Sequence, residues 1–419
     1  MNLRYLKPDD MHQPQKVVHL TSVHTAFDVR VFHKECKSLA RSGKRVVLIA
    51  PHQADEVVDS VEVKAIRIRS GRFVRMTRTA WSLYREALRQ NGNVYHFHDP
   101  ELIPLGLLLA ARGKKVVYDI HEDAPADILH KDYIPQCLRW PLMWSVRKLE
   151  GAACRRFSGL IAATPTIAER FYPINANTVI VHNFPMLDEI APSATLPWNE
   201  RPSAVAYIGS ISERRGIRGI LQALALFPSD RSVQMMLAGS FSREGLRTEL
   251  ERLPGWGRVQ YLGVLDRPAV ANLLASVRLG LMVLQPEPNF LNAKPIKLFE
   301  YMAAGIPVIA SDFPLWRKII AEAGCGLLVN PQDPLAIARA IEHLLTHDAE
   351  AEAMGQRGRQ AACKLYNWES EERVLLKFYS ELLETDAPRR KDRKRYCAPQ
   401  APDPQRQYQG QVPGVLPYS

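Results

Sequence analysis

Residues 292–312, with the sequence NAKPIKLFEYMAAGIPVIASD, constrain the fold more than any other stretch of the chain. Pro295 suits the first turn of a helix, where a missing N–H has no intrahelical partner. Gly305 suits the C-terminal end of that helix, because glycine adopts the left-handed conformation without a Cβ penalty. The continuous apolar run at 307–310 predicts a short buried strand, as in a parallel sheet. A helix, a tight turn and a buried strand in this order are typical of an α/β fold.

Two charged residues on this predicted helix suggest a ligand site. Free backbone N–H groups and the positive end of the helix dipole attract a diphosphate, and Lys297 adds a positive charge. Glu300 offers a carboxylate that can accept two hydrogen bonds from vicinal hydroxyls. Charge and spacing alone fit equally well an ordinary helix with these charges on its solvated face. Both interpretations are open at this point.

A second candidate anion site lies earlier in the same half of the chain. The sequence GSISERRG at 209–216 connects a predicted strand to a helix that begins near Ile217. A glycine loop before a helix N-terminus binds anions, and arginines next to it supply fixed positive charge. The residues of these two candidate anion sites are Gly209, Ser210, Arg214, Arg215, Pro295, Ile296 and Lys297.

Strand, helix and strand also alternate in the first half of the chain. Strands at 17–21 and 45–50 enclose a helix whose apolar face includes Phe32, and this order predicts a right-handed crossover in a parallel sheet. The loop at 22–28 lacks the GxGxxG pattern of dinucleotide-binding enzymes, so hydride transfer is not supported.

Polar residues follow the predicted strands 94–97 and 115–120. The carboxyl ends of parallel strands meet at one edge of a sheet, so these side chains are expected on one rim of a cleft. The predicted rim residues, with two from the first loop, are Asp28, Arg30, His98, Asp99, Glu101, His121 and Glu122. Asp99 and Glu122 equally suit helix capping. His96 and His98 share a strand face, but no third ligand has suitable spacing, and no metal site is predicted.

Length and composition indicate two domains. A chain of 419 residues is too long for one core and long enough for two of roughly 180 to 200 residues each. The expected segments are an extension at 1–15, a first domain at 16–183, a linker at 184–202, a second domain at 203–366, a last helix at 367–385 and a tail at 386–419. The tail is basic and rich in Pro and Gln, a composition typical of disorder.

Cysteine usage and hydropathy suggest the compartment. The six cysteines form no CxxC pair, which argues against a disulfide framework and a zinc ribbon and favours a reducing cytosol. The start of the chain has no apolar core typical of a signal peptide, and the longest apolar run, 102–111, is about half of the roughly 20 residues that a spanning helix needs. We expect a cytoplasmic protein.

Two stretches, 72–89 and 133–148, mix basic and aromatic residues. Such a mixture predicts either a surface for anionic membranes or ordinary core packing with a solvated charged side. The net charge of +11 is scattered and no recognition motif for nucleic acid is present, so nucleic acid is not an expected partner.

Residues 292–312 resemble the signature of the retaining family 4 glycosyltransferases, which have the GT-B architecture. The resemblance implies two Rossmann-like α/β domains that face each other across a cleft, with the C-terminal helix crossing back to the first domain. Glu300 matches the second glutamate of the family's Glu-x7-Glu motif, which holds the donor ribose. The first glutamate is replaced by Asn292. Arg215 matches the lysine of the family's glycine loop, and Ser210 stands where the family has an arginine.

The first half carries a further resemblance. His121 matches the histidine that approaches the donor sugar in this family, and the segments HTAFDVRVFHKE, HDPE and YDIHE resemble a subgroup that assembles bacterial surface polysaccharides. The resemblance implies a metal-independent transfer of sugar, with retention, from a nucleotide diphosphate donor to a saccharide or polyprenyl-linked acceptor in exopolysaccharide or O-antigen synthesis. It implies no cofactor, and it fits a protein bound peripherally to the inner face of the cell membrane. A nucleotide-sugar epimerase of the same architecture and a non-catalytic nucleotide-binding relative are the alternatives.

Overall fold

The computed structural model describes residues 14–67, 78–129, 134–191, 196–291 and 293–384. Two sheets organise these residues. The first sheet has the strand order β3-β4-β2-β1-β5-β6-β7-β8, and all neighbours are parallel except β3 and β4. Its strands are β1 Lys16–Leu20, β2 Arg45–Pro51, β3 Glu56–Val58, β4 Val61–Ile66, β5 Val94–Phe97, β6 Lys115–Ile120, β7 Gly159–Ala162 and β8 Thr178–Ile180.

Helices cover both faces of the first sheet, and nearly all residues of its central strands are therefore buried. The first helix, α1, is wound as a π-helix over Val29–Cys36 and continues as an α-helix over Lys37–Arg41. Phe32, Cys36 and Leu39 are fully buried along it, as their spacing predicts. The next helices are α2 Ala80–Gln90, α3 Ile103–Ala111, α4 Ala124–Ile128, α5 Gln136–Cys154 and α6 Pro165–Phe171.

The second sheet is entirely parallel, with the order β11-β10-β9-β12-β13-β14. Its strands are β9 Ala204–Ile208, β10 Gln234–Ala238, β11 Val259–Gly263, β12 Leu279–Met282, β13 Val308–Ser311 and β14 Gly326–Val329. Its helices are α7 Ile217–Ala225, α8 Leu246–Glu251, α9 Arg267–Ser276, α10 Pro288–Leu291, α11 Ile296–Ala303, α12 Pro314–Ala323, α13 Pro334–Thr346 and α14 Asp348–Leu365. The predicted helix, turn and strand at 292–312 are α11, Gly305 with φ of 72°, and β13.

The last helix, α15 Trp368–Glu384, returns to the first sheet. The indole N–H of Trp368 donates to Ser38 Oγ at 3.0 Å, and the Tyr379 hydroxyl lies 2.8 Å from His96 Nδ1. Leu375 and Phe378 are buried in the core on that side of the sheet. The predicted fold class is confirmed, including the crossing helix. Among the described helices, none is long and apolar enough to reach across a bilayer.

Candidate functional site

The glycine loop after β9 is shaped by two positions where only glycine fits. Gly209 has φ of 105°, and a Cβ there would lie 2.4 Å from Cε of Lys297. Gly216 has φ of 79°, and a Cβ there would lie 1.7 Å from the carbonyl oxygen of Val283. The lack of a Cβ at both positions lets the loop lie directly against α11 and the end of β12.

The two arginines of this loop have different surroundings. Ser212 accepts a hydrogen bond from the backbone N–H of Arg215 at 3.3 Å and so fixes the turn. The guanidinium of Arg215 lies 5.9 Å from the ring centre of Phe290, and it makes no ion pair within the part of the chain that the structure describes. Arg214 donates to Glu287 Oε2 at 2.7 Å. Arg214 therefore has a carboxylate partner of its own, whereas Arg215 packs on an aromatic ring.

Lys297 is buried next to this loop. Lys297 is 9% exposed to solvent, and its Nζ lies 4.8 Å from the ring centre of Tyr207. Burial, together with the nearby positive charge of Arg215, lowers the pKa of Lys297 to about 7 even though Glu300 acts in the opposite direction. Lys297 also makes no ion pair among the described residues. The interpretation that the charges of α11 lie on a solvated face is wrong, because Lys297 and Glu300 are both buried.

Glu300 is held by an arginine that the sequence did not single out. Arg267 donates from Nη1 to Glu300 Oε1 at 2.7 Å and from Nε to Glu189 Oε2 at 3.0 Å. Glu300 is 4% exposed. The carboxylate is thus oriented by an ion pair next to the loop.

The remaining predicted donor residues border the same place. Pro295 is extended and precedes α11, and Ile296 opens it; both are partly buried. The carbonyl of Ser210 accepts a hydrogen bond from the Tyr207 hydroxyl at 3.0 Å. Asn292 lies outside the described residues.

Asp119, at the end of β6, is the centre of the candidate site in the first sheet. Arg30 binds both of its oxygens, from Nε at 2.9 Å and from Nη2 at 2.8 Å. His121 Nε2 lies 2.6 Å and His98 Nδ1 3.1 Å from the same Oδ2 atom. Burial alone would raise the pKa of Asp119, but the Arg30 guanidinium and the imidazoles hold it well below its usual range. Asp119 is therefore an anion that positions three other side chains.

His121 is the member of this group that reaches solvent, with a side chain that is 19% exposed. Its ring centre is 5.2 Å from that of His24. The hydrogen bond between His24 Nδ1 and Asp28, at 3.2 Å, raises the pKa of His24. Asp28 also caps α1 by accepting from the N–H groups of Arg30 and Val31. His24 and His121 together form the polar rim of the first sheet.

Several predicted rim residues lie beneath the rim. Arg30, His98 and Asp99 are at most 4% exposed, so they lie behind the protein surface, and their place on the acceptor side of the cleft stays a prediction. Asp99 does not cap the helix that follows. It accepts from Ser22 N at 2.6 Å, and Ser22 Oγ in turn donates to Glu101 at 2.7 Å. Glu122 is exposed, and its neighbour Asp123 caps α4 instead.

Lys34 is a buried lysine whose pKa is influenced by charges of both halves, and sequence reasoning missed it. It is fully buried in α1, and its Nζ donates to Asn183 Oδ1 at 2.6 Å. Burial lowers the pKa of Lys34 to about 7, although Glu300 and Glu189 oppose that shift. Lys34 from the first sheet is thus electrostatically close to the Glu300 carboxylate of the second. The signal that could have found Lys34 was its position in the segment HTAFDVRVFHKE, which carries part of the family resemblance.

Two family models match the chain. Residues 29–184 match the glycosyltransferase family 4 model, and residues 191–361 match the model of glycosyl transferases group 1. Together they cover most of the chain and both sheets. This chain belongs to the family 4 glycosyltransferases. The family 4 segment contributes Arg30, Asp119 and His121, and the group 1 segment contributes the glycine loop and α11.

The O-antigen chain mannosyltransferase B of Escherichia coli is one relative of this family 4 chain. It is 29% identical over 168 residues, which are 39% of this chain and 42% of that protein, so the match represents less than half of the relative. Among solved structures, sucrose-phosphate synthase from Thermosynechococcus elongatus has a TM-score of 0.69 at 20% identity and covers 88% of this chain and 99% of its own. HepE of Anabaena, solved with UDP and glucose, has a TM-score of 0.66 at 15% identity and covers 88% and 100%. Both structures share the GT-B fold with this chain.

Proposed function

We propose that this family 4 protein is a retaining glycosyltransferase that moves a sugar from a nucleotide diphosphate donor to a hydroxyl of a saccharide or lipid-linked saccharide. The observation that carries the proposal is the pair of cations at the glycine loop. Arg215 and Lys297 lie close together, and among the described residues neither pairs with a carboxylate. Two positive groups next to a glycine loop and a helix N-terminus suit a ligand with adjacent phosphates.

In the proposed reaction the nucleoside diphosphate is the leaving group. Negative charge develops on its phosphate oxygens in the transition state, and preorganised positive groups stabilise that charge. An anion next to Lys297 also favours its protonated form, so donor binding brings the lysine to full charge. Glu300, oriented by Arg267, accepts hydrogen bonds from the ribose hydroxyls. No cation is needed at the diphosphate, and no cofactor takes part.

The sugar itself lies between the glycine loop and the rim of the first sheet. His121 can donate to or accept from a sugar hydroxyl, and Asp119 fixes the orientation of its imidazole. Retention rests on the family membership. We assign no enzymatic nucleophile, since reaction on one face through an oxocarbenium-like transition state needs none. Closure of the cleft would exclude water and so prevent hydrolysis of the donor.

A polysaccharide acceptor is supported by the relatives. The E. coli relative is an O-antigen chain mannosyltransferase by name, whereas the UDP and glucose in the HepE structure bear only on the donor. We therefore place the acceptor among saccharides or polyprenyl-linked saccharides of exopolysaccharide or O-antigen synthesis.

Helix α5 supports contact with an anionic membrane surface on the cytoplasmic side. Its first half exposes large apolar side chains, with Trp140 67% and Trp144 60% exposed, and Lys148 Nζ lies 5.0 Å from the Trp144 ring centre. Exposed rings next to cations suit the headgroup region of a bilayer. The other basic and aromatic stretch differs, because Leu83 and Tyr84 of α2 are core residues. Residues 72–77 and Tyr133 lie outside the described residues.

Vesicle flotation tests the membrane contact. The full chain should float with vesicles that contain anionic lipid and remain in the dense fraction with neutral vesicles. A variant with Trp140→Ser and Trp144→Ser should lose most of the binding, whereas a chain that ends after Glu384 should keep it. Equal flotation of the Trp variant would assign the binding to another part of the chain. No flotation at all would remove the membrane from the proposal.

A donor screen tests the enzymatic proposal. UDP, GDP and ADP sugars are compared by thermal stabilisation, and the best donor is incubated with and without a lipid-linked saccharide acceptor. Transfer that requires acceptor and keeps the anomeric configuration is the expected result. Conversion of the donor sugar without acceptor would indicate an epimerase, and binding without turnover would indicate a non-catalytic relative. Initial rates should not depend on added Mg²⁺ or Mn²⁺.

A further inference from the structure

A group of imidazoles and a carboxylate lies inside the first sheet's core, away from the glycine loop. The register of β1 and β5 pairs His19 with His96, so both side chains project from the same face of the sheet, and His98 follows two residues later on that face. Glu35 approaches from α1, which covers this face. One potential ligand atom from each of the four residues lies within 4.8 Å of all the others, and all four are buried.

This group contains polar atoms that lack hydrogen bonds. Nε2 of His19, Nε2 of His96 and both oxygens of Glu35 are buried and have no hydrogen-bond partner among the described residues. Arg30 Nε lies 3.1 Å from Glu35 Oε1, which is an ion-pair contact without the geometry of a hydrogen bond. An unpaired buried polar group is unfavourable, because it loses its hydrogen bonds to water and gains none within the protein. Unpaired atoms occur on three of the four residues of the cluster, which leaves it short of a partner.

The surrounding hydrogen bonds orient the rings toward such a partner. His98 uses Nδ1 for Asp119, at 3.1 Å, so its Nε2 carries a lone pair. That Nε2 faces His19 Nδ1 at 3.0 Å. A carboxylate that orients an imidazole in this way is the usual second layer of a metal site. Two nitrogen ligands of one tetrahedral ion lie about 3.3 Å apart, given metal–nitrogen distances of about 2.0–2.1 Å.

We infer that His19, Glu35, His96 and His98 bind one divalent transition-metal ion, with Zn²⁺ as the preferred ion. Three imidazoles and one carboxylate supply a complete tetrahedral set of nitrogen and oxygen ligands, as in a closed structural site. The ion joins β1, β5 and α1 and, through the contact of His96 with Tyr379, the crossing helix α15. Its role is to stabilise the first sheet with its helices, which we call the first lobe (the second sheet with its helices is the second lobe). The ion also fixes Asp119 beneath His121.

A second group, formed by His98, Asp119 and His121, overlaps the first. Arg30 already occupies both oxygens of Asp119. A cation there would have to displace two hydrogen bonds from the buried guanidinium, whereas Arg30 makes no hydrogen bond to Glu35, so we assign the ion to the first group.

Metal analysis of the intact protein tests the inference. The full chain is purified without a polyhistidine tag or chelator, and its metals are quantified by mass spectrometry. We expect about one zinc ion per chain. Glu35→Gln and His96→Ala should each lower the zinc content severalfold, whereas His343→Ala, which alters an exposed imidazole paired with Glu350, should leave it unchanged. X-ray absorption should show a nitrogen and oxygen shell without sulfur.

Folding of the variants is checked by circular dichroism, and Glu35→Gln is the decisive variant if His96→Ala does not fold. Metal-free chain, prepared by dialysis with a chelator, should melt at a lower temperature and recover when Zn²⁺ is added. A chain that holds no stoichiometric metal as purified and takes up none on dialysis against Zn²⁺ would overturn the inference and assign the cluster to buried water or a shared proton.

The inference is independent of the proposed reaction. Calorimetry with a nucleoside diphosphate should give the same affinity for the metal-free and the metal-bound chain, because Arg215 and Lys297 belong to the second sheet. Loss of nucleotide binding with intact zinc would argue against the proposed function alone. Absence of zinc with intact nucleotide binding would argue against the metal site alone.

Discussion

The two lobes treat buried charge in opposite ways. In the first lobe, Asp119 is bound on both oxygens by Arg30 and contacts two imidazoles, so its charge is compensated within the protein. In the second lobe, Arg215 and Lys297 lie against aromatic rings and near each other, and among the described residues neither forms an ion pair. A compensated network fixes geometry, whereas an uncompensated cation pair attracts an anion from outside.

In the second lobe, the buried positive charge of Lys297 is energetically unfavourable as long as no ligand is bound. Burial and the charge of Arg215 bring the pKa of Lys297 to about 7, which means that the protonated lysine is disfavoured in the free protein. A bound diphosphate removes that penalty. The first lobe is destabilised only when one partner of an ion pair is lost, because a buried charge without its counterion is strongly unfavourable.

The sharpest test removes the cation pair. Arg215→Ala combined with Lys297→Ala should lower kcat/KM for sugar transfer by about 10³-fold or more, because each group that stabilises the leaving diphosphate contributes on the order of 3–4 kcal/mol. Steady-state kinetics with the best donor measures the effect. The double variant Lys318→Ala with Arg339→Ala, which removes exposed charges from the same lobe, should retain activity. Normal transfer without the cation pair would refute the proposed reaction.

The next test breaks the compensated network. Asp119→Asn should lower the free energy of unfolding by about 3 kcal/mol, because buried Arg30 loses the carboxylate to which it donates two hydrogen bonds. Urea denaturation measures this change. Asp55→Asn, in an exposed pair with Lys64, should cost less than about 1 kcal/mol. Equal effects of the two substitutions would show that burial does not distinguish the pairs.

A smaller effect is expected at the ribose position. Glu300→Ala should weaken binding of the nucleotide sugar by about 1–3 kcal/mol, since charge-assisted hydrogen bonds to the ribose are lost. Isothermal calorimetry measures the affinity, and Glu322→Ala on the neighbouring helix α12 is the matched control. An unchanged affinity would remove Glu300 from the ribose site.

The smallest effect is a pH dependence of donor affinity. Free Lys297, with a pKa of about 7, loses its proton as the pH rises through that value, whereas the donor-bound lysine keeps it. The dissociation constant should therefore be level below pH 7 and rise above it, by at most about tenfold per pH unit. Lys297→Arg should flatten this profile. Lys34 also has a pKa of about 7, and Lys34→Met should leave the slope in place if Lys297 is its source.

Local signals were enough for much of the fold. Pro295 and Gly305 delimited α11, and the apolar run after them gave β13, because helix ends and buried strands depend on neighbouring residues. The pairing of Arg30 with Asp119 was not predictable, since 89 residues separate them. The same holds for Arg267 with Glu300. Sequence spacing likewise showed only His96 and His98 on one strand face, whereas tertiary contacts bring His19 and Glu35 next to them.

Local backbone preferences and periodicity are visible in the amino-acid sequence, so the alternation of strands and helices, the glycines at the loop and the family resemblance of α11 could be predicted from it. Which charges are compensated could be learned only from the folded chain. Whether a lysine is solvated or buried beside an arginine depends on segments far apart in the chain, and burial sets the energy of every charge at this site.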